Sequence, residues 1–325
     1  MSHPRTVHLF AGPGGLEANG ALPGVGIEWD ADAVATRRAA GLATIHADVR
    51  NHGPADFPDA DVLAGGPPCQ TFTVAGKGEG RTLLAHLLRR AKFMAAREVP
   101  PDVPFDERSL LVLEPLRWIL AAADTGRPYR AIVLEQVPQV LPIWQEYVDI
   151  LRAEGYNAAC GVVRAEEYGV PQTRRRAVLV ARRDGLIGIP RTTHRPWRKN
   201  LSEIELHLLP VVTMGEVLQD RGPFTAVSNY GTGGDPKKRG RRTSAEPAFT
   251  VTGKISRLRL IAPDGTELPR LSHAEAGQLQ GFPADWPWSA SDIPQQIGNA
   301  CPPPLAAVLA HAVNATPIRT LETAA

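Results

Sequence analysis

The chain has 325 residues, 43% of them hydrophobic, and its 36 basic and 34 acidic side chains leave a net charge of +2. This length and apolar content suit one large or two smaller packed domains and exclude a disordered or fibrous protein. The three cysteines are far apart, the first residues lack an apolar stretch, and no apolar run nears the ~20 residues needed to cross a bilayer. We therefore expect a globular protein in a reduced, cytoplasmic setting, without a disulfide framework or a membrane span.

The chain opens like a nucleotide-binding α/β unit. Residues 6–10 predict a short strand, a glycine-rich turn follows at residues 11–15, and a helix is predicted from Leu16. Residues 25–29 predict a second strand that carries the carboxylate of Glu28 near its end.

Further strands alternate with helical segments. A helix is predicted over residues 33–40, a third strand over 44–48, a fourth over 62–64, a fifth over 132–134 and a later one over 177–180. Such alternation favours a mostly parallel sheet, whose ligands bind at the carboxyl ends of the strands. Asp48 and Glu135 fall at such ends.

From about Asp184 the alternation gives way to a basic segment. Residues 182–259 hold 15 basic and 7 acidic side chains, a net charge of +8, which leaves −6 for the rest. The densest cluster comprises Lys237, Lys238, Arg239, Arg241 and Arg242, and we interpret it as a loop. It is either a solvated charge run or a phosphate-binding surface, since clustered cations displace counterions from a polyanion. Helical patterning resumes near Ser272, which with Glu275 predicts a capping box.

Cys69 follows the fourth predicted strand in the sequence Gly-Gly-Pro-Pro-Cys-Gln. A cysteine on such a turn is either a structural thiol or a nucleophile. A thiolate can add to C6 of a pyrimidine and make C5 nucleophilic, provided that a carboxyl group such as that of Glu135 activates the ring at N3. Arg174 and Arg176 would supply positive charge near the thiol and the base carbonyl, or would anchor phosphates alone.

The turn with Gly12, Gly14 and Gly15 lets the backbone approach a ligand closely, and Glu28 could accept hydrogen bonds from ribose hydroxyls. A dinucleotide fingerprint has a third glycine at fixed spacing and an acid about 20 residues on, and both spacings differ here. A nucleoside cofactor without a pyrophosphate fits better, which favours S-adenosylmethionine.

The ordered motifs of the chain resemble those of the DNA (cytosine-5) methyltransferases. The matching segments are residues 9–15, Glu28 and Trp29, Asp48, residues 67–70, 106–111, 135–137, 168–176, 270–283 and 296–300. The resemblance covers nearly everything outside the basic segment. It implies an α/β, Rossmann-like S-adenosylmethionine-dependent methyltransferase fold with a smaller target-recognition domain.

The resemblance also assigns domains and residues. Residues 1–183, completed by 293–325, would form the catalytic and cofactor-binding domain, and residues 184–292 the recognition domain. The catalytic residues would be Cys69, Glu135, Arg174 and Arg176. The cofactor-binding residues would be Phe10, Gly12, Gly14, Gly15, Glu28, Trp29, Asp48, Pro67, Leu111 and Asn299. Gln70, Thr73, Lys237, Lys238, Arg239, Arg241 and Arg242 would contact DNA.

The activity implied is that of a monomeric, nucleoid-associated modification methylase, from a restriction-modification system or solitary. It would flip a cytosine out of double-stranded DNA, since the target carbon cannot be reached within the stack. The stretch after Cys69, with Gly76, Gly78 and Gly80, would close over the base. No metal is expected, because the nine histidines show no paired ligand spacing.

Three features depart from the family pattern. Gln136 replaces the usual asparagine, a charged helical insertion covers residues 83–97, and Cys301 stands where valine is common. Gln136 keeps a non-catalytic DNA-binding protein on the same scaffold as an alternative. A tRNA cytosine-5 methyltransferase is a second alternative, and a nicotinamide-dependent hydride-transfer enzyme is a more distant one.

Overall fold

The computed structural model describes residues 5–68, 79–99, 107–228 and 239–314. A seven-stranded sheet forms the larger part of the molecule. Its strands are β1 (Arg5–Leu9), β2 (Gly24–Glu28), β3 (Ala43–His46), β4 (Ala60–Gly65), β5 (Ala131–Gln136), β6 (Asn157–Arg164) and β7 (Arg175–Arg182).

The strand order is β3-β2-β1-β4-β5-β7-β6. The first five strands in this order are parallel, whereas β7 runs antiparallel to both β5 and β6. The predicted mostly parallel sheet is therefore confirmed. Its carboxyl ends bring the turns after β1, β2, β4 and β5 to one edge, where ligands bind in folds of this kind.

Helices cover both faces of this sheet. They are α1 (Ala31–Ala39), α2 (Glu79–Ala95), α3 (Glu107–Leu110), α4 (Glu114–Asp124), α5 (Leu141–Ala153) and, at the end of the chain, α10 (Pro303–Asn314). Adjacent strand residues point to opposite faces. Leu63 and Ile132 thus join the core beneath α2, α4 and α5, while Val62 and Val133 join the core beneath α10.

The second part of the molecule is a smaller, four-stranded antiparallel sheet in the order β11-β10-β8-β9. Its strands are β8 (Thr225–Val227), β9 (Arg241–Thr243), β10 (Arg259–Ile261) and β11 (Glu267–Leu268). The helices that accompany it are α6 (Glu203–Leu206), α7 (Met214–Val217), α8 (His273–Gln280) and α9 (Ile293–Asn299). A separate core that includes Phe224, Leu260 and Leu279 holds this lobe together.

The predicted capping box is present at the start of α8, where the Ser272 side chain accepts from the Glu275 amide. The large sheet ends at Arg182, close to the domain boundary predicted at residue 184. Ile297 lies beyond the other predicted boundary at residue 293, yet it packs in the core of the smaller lobe. The two-domain division remains our interpretation of these two sheets and their cores.

Three local predictions were wrong. The helix expected from Leu16 is a series of turns, because Gly20 adopts φ +65° and β2 begins at Gly24. Gly80, expected in a closing loop, lies within α2. Part of the basic cluster, expected as a loop, forms the edge strand β9.

None of the described helices is both long enough and apolar enough to span a membrane. Within the described ranges, no group of three or more His, Cys, Asp or Glu side chains is arranged to hold a metal ion.

Candidate active site

The turn after β1 exposes backbone at one glycine and packs tightly at another. Phe10 and Gly12 adopt φ of 53° and 54°. A Cβ atom on Gly12 would meet nothing within 4 Å, whereas one on Gly15 would lie 2.2 Å from the Cys301 carbonyl oxygen. Gly14 also has a positive φ, of 99°. The turn therefore offers open space at Gly12 and contacts the C-terminal return of the chain at Gly15.

Glu28 holds this turn from the end of β2. Its Oε2 accepts from the Gly12 amide and its Oε1 from the Asp30 amide, both at 2.7 Å. Burial raises the pKa of this carboxyl group, and the two amide hydrogen bonds oppose that rise. Trp29 is 70% exposed and lines a cavity of about 360 Å³ with His46 and Ala47. Of the predicted cofactor-binding residues, Trp29 thus borders this cavity, and Glu28 precedes Trp29 in the chain.

Asp48 lies just beyond β3 and caps a short 3-10 turn, Val49–Asn51. Its carboxylate accepts from the Arg50 side chain at 2.7 Å, and this bond is the main cause of its lowered pKa. Arg50 also pairs with Glu107 at 2.8 Å. Leu111 and Arg50 line a second cavity, of about 460 Å³. Arg50 therefore binds Asp48 and borders the same cavity as Leu111.

The chemically important contact lies at the end of β5. Glu135 is 5% exposed, and its Oε1 lies 2.7 Å from Nε of Arg176. The N–H of Arg176 is not aligned with this oxygen, which has no hydrogen-bond partner among the described residues. A buried carboxyl oxygen of this kind can hold a proton for, or accept a bond from, one further group.

Glu135 also borders the turn that leads to Cys69. A Cβ atom on Gly66 would lie 3.4 Å from the Glu135 carbonyl oxygen and 3.7 Å from Oε2. The Gln136 side chain donates to the Pro67 carbonyl at 2.5 Å and accepts from the Val137 amide. Gln136 thus braces the backbone at Pro67, two residues before Cys69, despite its extra methylene. Cys69, Gln70 and Thr73 lie outside the described residues.

Arg174 is 2% exposed and faces inward. Its Nη1 donates to the Val251 carbonyl at 2.7 Å and its Nη2 to the Gly298 carbonyl at 2.6 Å. Burial, followed by the charge of Arg176, lowers the pKa of Arg174 to about 9, so the guanidinium stays charged at neutral pH. Arg174 therefore joins the end of the large sheet to the smaller lobe. Its predicted influence on the Cys69 thiol would act through its charge.

The basic cluster divides into residues with different surroundings. Arg241 is exposed on the edge strand β9 and Arg239 is partly exposed, while Lys237 and Lys238 lie outside the described residues. The Arg242 guanidinium packs on the Phe249 ring at 4.4 Å and donates to the Ala248 carbonyl at 2.7 Å and to Thr173 at 2.9 Å. These internal contacts use Nη1 and one face of the guanidinium, and contact of Arg242 with DNA stays a prediction.

Asn299 is the last residue of α9 and is exposed, with its Oδ1 accepting from Gln295 at 2.8 Å. It lies two residues before Cys301, whose carbonyl packs against Gly15. Cys301 itself is 8% exposed in the core beneath α10, as expected for a small hydrophobic replacement. Burial raises the pKa of its thiol well above the usual range.

Sequence reasoning missed the buried pair Gln172 and Gln280, both 0% exposed. Gln172 Nε2 donates to Gln280 Oε1 at 2.5 Å and to the Leu279 carbonyl at 2.8 Å, and Gln172 Oε1 accepts from the Val251 amide at 2.8 Å. The position of Gln172 between Pro171 and the arginines could have marked it as important in the sequence. Its hydrogen-bond partners could not be predicted, because they lie 79 to 108 residues further along the chain.

Comparisons with known proteins show the family of this chain. The sequence matches the family described as C-5 cytosine-specific DNA methylase over residues 5–88 and 127–220, more than half of the chain. It is 30% identical over 278 residues to Type II methyltransferase M1.HphI of Haemophilus parahaemolyticus, covering 78% of this chain and 68% of that protein. It is 28% identical over 320 residues to Type II methyltransferase M.BsuFI of Bacillus subtilis, covering 94% and 71%.

The fold is similar to that of the Entamoeba histolytica methyltransferase EhMeth, with a TM-score of 0.60 at 12% identity over 96% of this chain and 98% of that one. The family match agrees with the resemblance that the ordered motifs indicate. The chain therefore belongs to the C-5 cytosine-specific DNA methylases.

Proposed function

We propose that this methylase attacks C6 of a flipped-out cytosine with Cys69 while Glu135 activates the ring at N3. The supporting observation is the buried Glu135 carboxyl group, whose Oε1 lies 2.7 Å from Arg176 Nε without an aligned hydrogen bond and whose Oε2 faces Gly66 in the turn that leads into Cys69. Addition of a thiolate to a pyrimidine needs a proton or hydrogen bond at N3. Arg176 would hold the carboxyl group in place and face the base carbonyl.

The proposed reaction forms a covalent bond between Cys69 and C6 and later breaks it again. The Cys69 thiolate forms a bond to C6 as the Glu135 proton passes to N3, and the C5=C6 electron pair becomes available at C5. S-adenosylmethionine, when bound, would supply the methyl group to which C5 bonds, and its positively charged sulfur would leave as a neutral thioether. Loss of the C5 proton to a general base expels the Cys69 thiolate, restores the C5=C6 bond and returns the N3 proton to Glu135.

The residues at the carboxyl edge of the sheet fit S-adenosylmethionine. The open space at Gly12 would admit the cofactor against backbone, and the Glu28 carboxylate next to it has lone pairs left for ribose hydroxyls. The exposed Trp29 ring and its cavity of about 360 Å³ would take the adenine end. Pro67, Asp48, Leu111 and Asn299 would complete the pocket.

The substrate we infer is double-stranded DNA, read by the smaller lobe within residues 184–292. The excess of positive charge in residues 182–259 supports contact with phosphates. Since the relatives above are Type II methyltransferases, we assign the protein to modification of DNA in a restriction-modification system. We expect it to act as a cytoplasmic, nucleoid-associated monomer.

A duplex that contains 5-fluorocytosine tests the nucleophile, because fluorine at C5 cannot leave as a proton does. With cofactor present, we expect a covalent protein-DNA complex that survives denaturing electrophoresis. Cys69→Ser should abolish this complex while DNA binding stays within about threefold, since the hydroxyl is a far weaker nucleophile.

Undiminished methylation by Cys69→Ser would remove the nucleophile assignment. The buried Cys301→Ser variant is the matched control, and it should still form the complex. Bisulfite sequencing of DNA from cells that express the protein would report activity and target sequence together.

A further inference from the structure

A buried ion pair lies beneath the glycine turn, between residues that lie outside the motif segments of the sequence. Arg37 of α1 is 0% exposed and Glu17, in the turns after Gly15, is 5% exposed. Nη1 of Arg37 donates to Oε2 of Glu17 at 2.5 Å, and Nη2 donates to Oε1 at 3.0 Å. This bidentate geometry fixes the orientation of both side chains.

The remaining donors of Arg37 are also used. Nη1 donates to the Ala11 carbonyl at 3.4 Å, Nη2 to the Ala43 carbonyl at 3.2 Å, and Nε to Thr44 Oγ1 at 3.1 Å. A guanidinium has five N–H donors, and each of them has an acceptor here. Arg37 thus connects the turn after β1 to β3.

The strand between them is adapted to this guanidinium. A Cβ atom on Gly26, in β2, would lie 2.1 Å from Nη2 of Arg37. Glycine in a strand interior weakens the strand and often marks the close approach of another group. Gly26 is therefore the residue that lets Arg37 reach Glu17 and Ala11.

His8 and Glu28 are titratable side chains that interact with this pair. Nε2 of His8 lies 3.8 Å from Oε1 of Glu17 and 2.9 Å from the Leu22 carbonyl oxygen. Burial is the main cause of the lowered pKa of His8, Arg37 lowers it further and Glu17 opposes both. His8 is thus neutral at pH 7, and Arg37 supplies the positive charge that balances Glu17.

The ion pair acts on the backbone directly before Gly12. The Ala11 carbonyl, bonded to Arg37, also accepts from the Gly14 amide at 3.3 Å, and the Ala11 amide donates to the Ile27 carbonyl at 3.1 Å. Glu17 is tied to the same turn, since its amide donates to the Gly14 carbonyl at 2.9 Å. Both partners therefore hold the turn that includes Gly12 and Gly14.

We propose that Glu17 and Arg37 are positioning residues that hold the glycine turn in the conformation that binds the methyl donor. This inference rests on the proposed binding of S-adenosylmethionine at Gly12. A well-packed apolar pair can replace a buried ion pair without loss of stability. What an apolar pair cannot replace is the directed hydrogen bond from Arg37 to Ala11.

The test measures the Kd for S-adenosylhomocysteine by calorimetry, the Kd for duplex DNA by fluorescence anisotropy, and the Tm. We expect Arg37→Lys and Glu17→Gln to raise the Kd for S-adenosylhomocysteine at least about tenfold, because small displacements of a binding backbone are costly. The Kd for DNA should stay within about twofold. Arg38→Met, at the exposed neighbouring position of α1, is the matched control and should change none of the three.

The double variant Glu17→Leu/Arg37→Met separates positioning from stability. We expect a Tm near that of the wild type but S-adenosylhomocysteine binding as weak as in the single variants. A double variant with both the Tm and the S-adenosylhomocysteine binding of the wild type would overturn the positioning role. Unchanged S-adenosylhomocysteine binding in Arg37→Lys would overturn it too.

Should these variants fail to fold, Thr44→Val decides the matter, since it leaves Arg37 and Glu17 in place and removes the acceptor of Arg37 Nε together with the hydroxyl's own bond to the Leu42 carbonyl. A rise of about two- to threefold in the Kd for S-adenosylhomocysteine supports the proposal, and no rise overturns it. A wild-type protein that does not bind S-adenosylhomocysteine overturns the cofactor assignment as well, whereas normal binding by the wild type and all variants overturns only the positioning role.

Discussion

At the scale of single residues, the Glu135 carboxyl group is the first to test. Gln in its place keeps the shape of the side chain and its place beside Arg176 but cannot pass a proton to N3. We expect Glu135→Gln to lower the single-turnover methylation rate about 10²- to 10⁴-fold, the usual contribution of a general acid. The Kd values for DNA and for S-adenosylhomocysteine should change little.

Single-turnover kinetics with saturating DNA and cofactor separate this effect from binding. A Glu135→Gln variant that methylates at the wild-type rate would show that N3 is activated by another group. A variant that instead loses DNA binding would place Glu135 among the residues that hold the flipped base.

Gln136 provides a second test at this scale. Its amide donates to the Pro67 carbonyl, so it holds the turn before Cys69 through one bond. Gln136→Asn should change the methylation rate within about tenfold, or ~1.4 kcal/mol of barrier, because a shorter amide keeps the same donor and acceptor. Gln136→Ala should lower the free energy of unfolding by roughly 1–3 kcal/mol, since the Pro67 carbonyl loses its partner.

Rate measurements and urea titrations on the two variants check these values. An inactive wild-type protein beside an active Gln136→Asn variant would favour the non-catalytic alternative instead.

Single residues also show where sequence reasoning stops. Glu28 and Glu135 could be predicted because a polar residue after a buried apolar strand falls at the ligand-binding edge of a parallel sheet. The inward direction of Arg174 could not be predicted from three consecutive arginines. The carbonyls that capture it belong to Val251 and Gly298, and only the tertiary fold brings them there.

At the scale of secondary structure, strands were easier to predict than the segments between them. Short apolar runs at residues 62–64 and 132–134 identified β4 and β5, because buried parallel strands read as continuous hydrophobic sequence. β6 was missed, since its sequence Asn-Ala-Ala-Cys-Gly-Val-Val-Arg has neither a clear alternation nor an apolar run. The helix predicted over residues 83–97 is confirmed up to Ala95 as part of α2, whose Leu83, Leu87 and Ala91 join the main core, whereas Arg97 adopts a positive φ beyond its end.

The edge strand β9 gives a matched pair of neighbouring arginines. Arg241 is exposed, whereas Arg242 donates to the Ala248 and Pro247 carbonyls at 2.7 and 2.9 Å. Arg241→Gln should reduce the slope of log Kd for DNA against log salt by about one, the change expected for one phosphate contact. Arg242→Gln should leave the slope unchanged but lower the free energy of unfolding by about 1–3 kcal/mol, because the buried Pro247 carbonyl loses Arg242 as its partner, while the Ala248 carbonyl keeps the bond from the Thr173 amide.

DNA binding at several salt concentrations and chemical denaturation distinguish the two roles. An unchanged slope for Arg241→Gln would make the exposed edge a solvated surface, and a reduced slope for Arg242→Gln would support its predicted contact with DNA. Combined neutralisation of Lys237, Lys238 and Arg239 should lower the slope by up to roughly 3.

At the scale of the whole molecule, the catalytic sheet and the smaller lobe are joined by buried polar side chains. Gln172 and Arg174, just before β7, bind the amide and the carbonyl of Val251, respectively. The same two side chains reach the ends of α8 and α9 through Leu279 and Gly298. The short segment before β7 thus holds three places in the smaller lobe, namely Val251, Leu279 and Gly298. This segment lies next to Arg176, which contacts Glu135.

This connection predicts that Gln172 controls DNA binding more than cofactor binding. Gln172→Met keeps a similar volume but leaves the Val251 amide and the Leu279 carbonyl unpaired, at roughly 1–3 kcal/mol of unfolding free energy each. Because these bonds also set the position of the smaller lobe, the Kd for duplex DNA should rise, while the Kd for S-adenosylhomocysteine should stay within about twofold. Anisotropy, calorimetry and urea titration would measure the three quantities. The exposed Gln219→Met variant is the control, and an equal loss of DNA and cofactor binding in Gln172→Met would mean that the segment supports the whole fold rather than the position of the lobe.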